Sequence, residues 1–279
     1  MRYLALLLII ILSCNASSEQ EKKQPSTPKG YQLQDPQRFR VRESMQEISG
    51  LVLDPDENNI YAINDEEGRI YKIDLSADEP YPYWKFGRSG DYEDIVKTYK
   101  GWMVLKSNGT LYHVHNMFTD STSSSEYKLS IPGKQEFESA YIDSSGQGVI
   151  LLCKNCEDDK KKGVTSAYRF DLNSMQYDPA PVFQLSLDDI SRLAGREIKH
   201  FRPSAATIHP IDKRLYIISN VNHMLVIATQ QGKVLETYPF KNKLFLQPEG
   251  IYFAKNGDMY ISNEAGEGTA NILKFVYKP

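Results

Sequence analysis

The sequence holds only three cysteines in 279 residues, too few for a disulfide-built scaffold or a zinc site made from paired CxxC motifs. It has no excess of positive charge. Its 33 basic residues face 36 acidic ones for a formal net charge of −3, and the basic residues are nowhere clustered, which argues against a nucleic-acid surface. No apolar run approaches the roughly 18 residues that a membrane-spanning helix needs. Phosphate-binding glycine loops, nucleophile elbows and zincin motifs are also missing. What remains is ordinary globular composition, 41% hydrophobic and 25% charged, with length for one large domain or two small ones.

The N-terminus carries an address. Arg2 precedes an apolar run from Leu4 to Leu12, followed by Ser13 and Cys14, which has the form of a secretion signal. Ile11, Leu12, Ser13 and Cys14 resemble a bacterial lipobox, in which cleavage before the cysteine exposes it for lipidation; an ordinary signal with an incidental cysteine is the alternative. The expected organisation is a signal peptide over residues 1–13, lipidation at Cys14, a polar tether over 14–30 and a folded domain over 31–279. The expected location is the cell envelope of a bacterium, on the outer membrane, with the membrane itself as a partner through the lipid anchor.

The folded part repeats. EISGLVLD from Glu47, DYEDIVKT from Asp91, EFESAYID from Glu136, RPSAATIH from Arg202 and QPEGIYFA from Gln247 begin 44, 45, 66 and 45 residues apart. Each is followed by a second apolar run beyond a turn, then a third and a weaker fourth. Four short strands per unit of about 45 residues predict an all-β fold, a β-propeller with four-stranded antiparallel blades. Five blades are counted, and the long third spacing leaves room for a degenerate sixth. Residues 186–200 read as a helical insertion, with Ser186 as N-cap and Gly195 at the stop. The last unit lacks a fourth strand, which Tyr31 to Val41 is placed to supply by closing the ring.

EISGL with INDEEGRIYKIDL, then YEDIV, FESAYID, RPSAATIHP and QPEGIYFAKNGDMYISNE, resemble the SdiA-regulated family of bacterial propellers, related to NHL-repeat and TolB-like propellers, over roughly residues 31–279. The resemblance implies a secreted or membrane-anchored propeller with calcium as a candidate ion. It implies no substrate, and its relatives usually have six blades.

First strands line a propeller channel, so the aligned positions Ser49, Glu93, Glu138, Ser204 and Glu249 form a ring. Carboxylates converging on an axis must be solvated, protonated, paired or bound to a metal. Glu93, Glu138 and Glu249 are therefore candidate metal ligands. The adjoining second-strand ends pair Ser49 with Asn64, Glu93 with Lys106, Glu138 with Lys154, Ser204 with Ser219 and Glu249 with Asn263. Asp65, Arg202, Asn220 and Glu264 complete the candidate ligand-facing set at the loops. Cys153 and Cys156 form CKNC at a strand end; a local disulfide, free thiols and a redox or metal role all fit that spacing.

The expected function is a binding or interaction module for an envelope protein or small ligand, with calcium or another cation in the channel. A metal-dependent hydrolase of lactones, esters or phosphoesters is the rival, and a scaffold with structural ion pairs the plainest alternative; fold alone does not decide whether the protein is an enzyme. Replacing Cys14 with alanine is expected to move the protein out of the membrane fraction on cell fractionation. Unchanged fractionation of Cys14→Ala would refute the lipid anchor.

Overall fold

The computed structural model describes residues 27–279 apart from 55, 58, 77–79, 241–243 and 267. The expected signal peptide, Cys14 and most of the expected tether lie outside the described residues. The end of the tether span, residues 28–30, forms a turn in which the Tyr31 amide donates to the Pro28 carbonyl at 3.1 Å.

The chain enters through β1 (Gln37–Arg40) and builds five four-stranded units in sequence. Blade 1 is β2 (Ile48–Leu53), β3 (Ile60–Asn64), β4 (Arg69–Ile73) and β5 (Tyr83–Lys85). Blade 2 is β6 (Tyr92–Thr98), β7 (Gly101–Lys106), β8 (Thr110–His115) and β9 (Ser123–Lys128). Blade 3 contains β10 (Phe137–Ile142), β11 (Gly148–Cys153), a short helix α1 (Glu157–Lys162), then β12 (Val164–Asp171), β13 (Gln176–Tyr177) and β14 (Phe183–Ser186). Helix α2 (Leu187–Ala194) leads into blade 4, β15 (Ala205–Ile208), β16 (Leu215–Ser219), β17 (Met224–Ala228) and β18 (Val234–Pro239). Blade 5 is β19 (Pro248–Phe253), β20 (Met259–Asn263) and β21 (Asn271–Phe275), completed on its outer edge by β1, which pairs antiparallel with β21 from Gln37↔Lys274 to Arg40↔Asn271.

The fold is thus a five-bladed propeller closed by the segment expected to close it. The long third spacing holds no sixth blade. It is filled by an outer strand in two pieces, β13 and β14, both paired with β12, and by α2. Ser186 caps α2 by accepting the Asp189 amide at 3.2 Å, and Gly195 ends it at φ 64°, which suits glycine. Helix α1 was not expected. Its sequence EDDKKK places acids in the first turn and bases in the last, an arrangement that complements the helix dipole.

The second strands β3, β11, β16 and β20 are buried along their whole length, which is why they read as continuous apolar runs rather than alternating ones. Five hydrophobic clusters fill the five gaps between adjacent blades, and Leu187 and Ile190 of α2 join the one between blades 3 and 4.

The first strands neighbour one another in the cyclic order β2, β6, β10, β15, β19 and back to β2. Side chains on the axis are correspondingly small. A Cβ at Gly250 would lie 2.7 Å from the Ser49 carbonyl oxygen and 3.4 Å from Gly50 Cα, both backbone atoms that cannot swing aside. Short polar bridges stitch the blades together around this axis: the Ser204 hydroxyl donates to the Pro248 carbonyl at 2.6 Å and the Ser262 hydroxyl to the Ser49 carbonyl at 2.7 Å. Asp94, buried to 5% exposure, accepts the amides of Ile95 and Ala140, each at 2.8 Å, tying blade 2 to blade 3. Replacing Gly250 with alanine is expected to cost about 1–3 kcal/mol by overpacking, a fall in Tm of roughly 3–10 °C for a domain of this size. An unchanged melting curve would contradict the crowded axis.

Candidate functional site

One end of the channel is chemically distinct. It is the end where first strands begin and second strands finish, and in four blades the ladder there is broken by a β-bulge. Pairing between the first two strands slips between Ile48 and Leu51, Tyr92 and Asp94, Phe137 and Ser139, and Pro248 and Gly250. The skipped residues include Ser49, Glu93, Glu138 and Glu249. A bulged residue has no cross-strand partner and its side chain is re-aimed, so these positions leave the blade face and turn to the mouth. In blade 4, Ser204 sits just ahead of β15.

Because of the bulges, the ring residues find partners other than those on the strand beside them. Lys154 forms an ion pair with Glu138, as expected, and a second with Glu136 at 3.2 Å. Glu93, however, has no ion pair with Lys106, whose ammonium lies 5.9 Å from the centre of the Tyr92 ring. Glu249 does not face Asn263; its carboxylate accepts from the side-chain amide of Asn220, in the neighbouring blade, at 2.8 Å. Asn263 donates to Asn271 at 3.3 Å, and Asn64 caps the next turn by accepting the Glu67 amide at 2.8 Å. Ser219 donates to the Arg202 carbonyl at 2.6 Å. Glu93, Glu138 and Glu249 thus do not form a common oxygen set; two of them already hold partners of their own.

A second ring, one level further out, consists of the first residue of each repeat and the residue after each second strand. In blade 2 the Ser107 hydroxyl donates to Asp91. In blade 3 Lys154 pairs with Glu136 at 3.2 Å, and Asn155 beside it donates to the same carboxylate at 3.0 Å. In blade 5 Gln247 donates to Glu264 at 2.9 Å. Each pair sets an acid against a donor. Blade 1 alone of these sets acid against acid, Glu47 against Asp65, on the same backbone frame: the Asp65 amide donates to the Glu47 carbonyl at 3.1 Å as the Glu264 amide does to Gln247 at 2.9 Å. Glu264 of the adjacent blade joins them, and one oxygen from each of Glu47, Asp65 and Glu264 lies within 4.8 Å of the others. Asp65 Oδ1 is buried with no hydrogen-bond partner among the described residues. Glu47 was missed in the sequence, although it opens the first repeat; the signal was the change from an acid–donor pair to an acid–acid pair.

The mouth carries more negative charge than its cations balance. Burial pushes Glu93 up to about 9, helped by Asp91, Glu249 and Asp65 and opposed by Lys154. Burial likewise pushes Glu249 up to about 7, against the Asn220 hydrogen bond and Lys154, and Asp65 up to about 6, with Glu47, Glu66 and Asp91 adding to it. Glu264 is raised by burial and then by its contact with Glu47. Lys154 sits among these groups on a loop closed by a disulfide between Cys153 and Cys156, so of the three readings of CKNC the local disulfide is the one observed.

No protein-family model and no curated protein matches the sequence. Solved structures do match in fold. A structural-genomics protein of unknown function from Bacteroides thetaiotaomicron superposes with a TM-score of 0.55 at 14% identity, over 82% of this chain and 55% of that one. The calcium-binding protein regucalcin from Agrobacterium tumefaciens gives 0.52 at 11% identity, covering 86% and 95%, and a luciferin-regenerating enzyme 0.50 at 11%, covering 87% and 95%. The chain shares their propeller fold. At these identities the likeness extends to fold alone. Among the described residues no helix is long and apolar enough to cross a membrane.

A carboxyl whose folded pKa lies above its unfolded value binds more protons folded than unfolded between the two, so stability falls as pH rises through that window. For Glu93 the window runs from 4.5 to about 9. Glu93→Gln is therefore expected to raise Tm by about 3 °C or more at pH 8 and to leave it unchanged at pH 4, measured by calorimetry in chelator. A variant no more stable at pH 8 would contradict a protonated, half-buried Glu93.

Proposed function

We propose that this protein is a lipid-anchored propeller of the cell envelope, of the SdiA-regulated type, that works as a binding module whose channel mouth takes a divalent cation, calcium by its chemistry. The observation that carries the cation reading is the acid–acid pair of blade 1, Glu47 and Asp65, completed by Glu264 within 4.8 Å. Calcium holds oxygens at about 2.3–2.6 Å, so two ligands across the ion are separated by up to about 5 Å, and the three carboxylates fit that span. The unpartnered, buried Asp65 Oδ1 is an acceptor with nothing to accept, which a cation would satisfy. Three carboxylates fall short of the six to eight oxygens calcium prefers, so water or a ligand completes the shell and the affinity is modest.

On this reading the ion lies at Glu47, Asp65 and Glu264 rather than at Glu93, Glu138 and Glu249. The ammonium of Lys154, bonded to Glu138, already supplies the positive charge at the inner ring. A hydrolase built on the inner ring would have to displace it, and that favours the binding module over the metal-dependent hydrolase. The likeness to regucalcin is one of fold and adds no ligand to this set.

Terbium luminescence and calorimetry on the purified protein test the proposal. Calcium is expected to bind with a Kd of about 10⁻⁴–10⁻³ M, and Asp65→Asn and Glu264→Gln are each expected to weaken it about tenfold or more, while Glu138→Gln leaves it nearly unchanged. Absence of calcium binding at millimolar concentrations, or equal loss in all three variants, would overturn the assignment.

A further inference from the structure

The described chain begins at the end of the ring opposite the acidic mouth. β1 runs from that end, since Gln37 pairs with Lys274 near the finish of β21 and Arg40 with Asn271 at its start. The residues before it are fastened there. The Tyr31 hydroxyl donates to the Gly257 carbonyl at 2.5 Å and contacts His209 Nε2 at 2.7 Å, and the Lys278 amide donates to the Gly30 carbonyl at 2.8 Å. Gly257 and His209 lie in the turns β19–β20 and β15–β16, both on the far face from Glu47, Asp65 and Glu264.

This sector of the far face has a consistent chemistry. Ile211 is 49% exposed and Val276 43%. Ile211 adjoins the Tyr277 ring, because a Cβ on Gly257 would meet Ile211 Cδ1 at 2.9 Å and the Tyr277 ring at 2.8 Å, and Val276, next in the chain, lines a groove with Gly30, Tyr31 and Lys278. Lys29, Lys213 and Lys278 are exposed around it. The neighbouring acids are turned to other work: Asp212 holds His209 Nδ1 at 3.2 Å and the Tyr216 hydroxyl at 3.1 Å, while Asp258 holds Lys274 at 3.1 Å and the Tyr277 amide at 2.9 Å. Glu57 takes the Lys255 amide at 2.6 Å, and Asp35 is an exposed acid beside the entering chain. Apolar tips framed by lysines suit a phospholipid surface, where the tips enter the headgroup layer and the lysines meet phosphates.

We infer that the face around Ile211, Val276 and Tyr277 rests on the lipid surface, holding the acidic mouth away from the membrane. The inference rests on the lipid-anchor reading, and it assigns the anchored protein an orientation that a tether alone would leave free. The described chain starts at Thr27, which lines one groove with Gly30, Tyr31, Val276 and Lys278, so the segment that leads to the anchor joins the domain at this face.

Thiol labelling tests it, since Cys153 and Cys156 are joined and the Cys14 thiol carries the lipid in the anchored protein, so an introduced cysteine reports alone. Full-length lipidated protein carrying Ile211→Cys, or Val221→Cys beside the mouth, is placed in vesicles of phosphatidylethanolamine and phosphatidylglycerol and treated with a bulky, impermeant maleimide, with the same proteins in detergent as reference. Labelling at position 211 is expected to slow about fivefold or more on vesicles, and labelling at 221 to stay unchanged. Flotation of the vesicles is measured in parallel. Protein that floats but labels equally at both positions, or is protected at 221, overturns the orientation while sparing the anchor; protein that does not float overturns both.

Discussion

Five first strands press so closely around a single axis that neighbouring backbones touch, and the rest of the molecule follows from this crowding. Gly50 and Gly250 let neighbouring strands approach where a methyl group would strike backbone. Polar side chains that reach the axis are short and committed: Ser204 and Ser262 bridge to carbonyls of the next blade, and Asp94 takes two amides. At the mouth end the longer acids Glu93, Glu138 and Glu249 lie outside the ladder. The bulges at the starts of the first strands remove them from it and send them to the mouth.

Concentrating acids in one place carries an electrostatic cost, and the protein meets it in three ways. Lys154 neutralises Glu138 and Glu136. Donors from serine and amide side chains satisfy Asp91, Glu136, Glu249 and Glu264. Burial then holds a proton on Glu93 at neutral pH. None of the three reaches Asp65, whose buried oxygen stays without a donor among the described residues. The charge left over is local, confined to the seam between the last blade and the first.

Much of this was legible in the sequence because the repeat length sets the fold. A spacing of 44 or 45 residues with four apolar runs admits few architectures, and the surplus between Glu136 and Arg202 was readable as a helix from Ser186 and Gly195. The ring membership of Glu93, Glu138 and Glu249 was readable for the same reason. Their partners were not. A bulge adds one residue to one strand, and that residue's side chain leaves the plane in which pairing is inferred, so Glu249 meets Asn220 across a blade boundary rather than Asn263 beside it. The Glu138 and Lys154 pair survived because Lys154 lies just past the end of its strand, whereas Lys106 stays in the ladder opposite Tyr92. Glu47 was overlooked because each repeat was aligned on its inner ring, whereas its outer ring holds the exception.

The seam where β1 meets β21 also bears on how the molecule comes into being. The first strand made waits at the ring's edge for the last, so blade 5 cannot be completed until nearly all of the chain is available. Such a closure is slow to form by chance encounter, because its contacts are far apart in sequence. In the exported protein proposed above that delay would be an advantage: the finished cylinder would assemble only on the side where both ends have arrived.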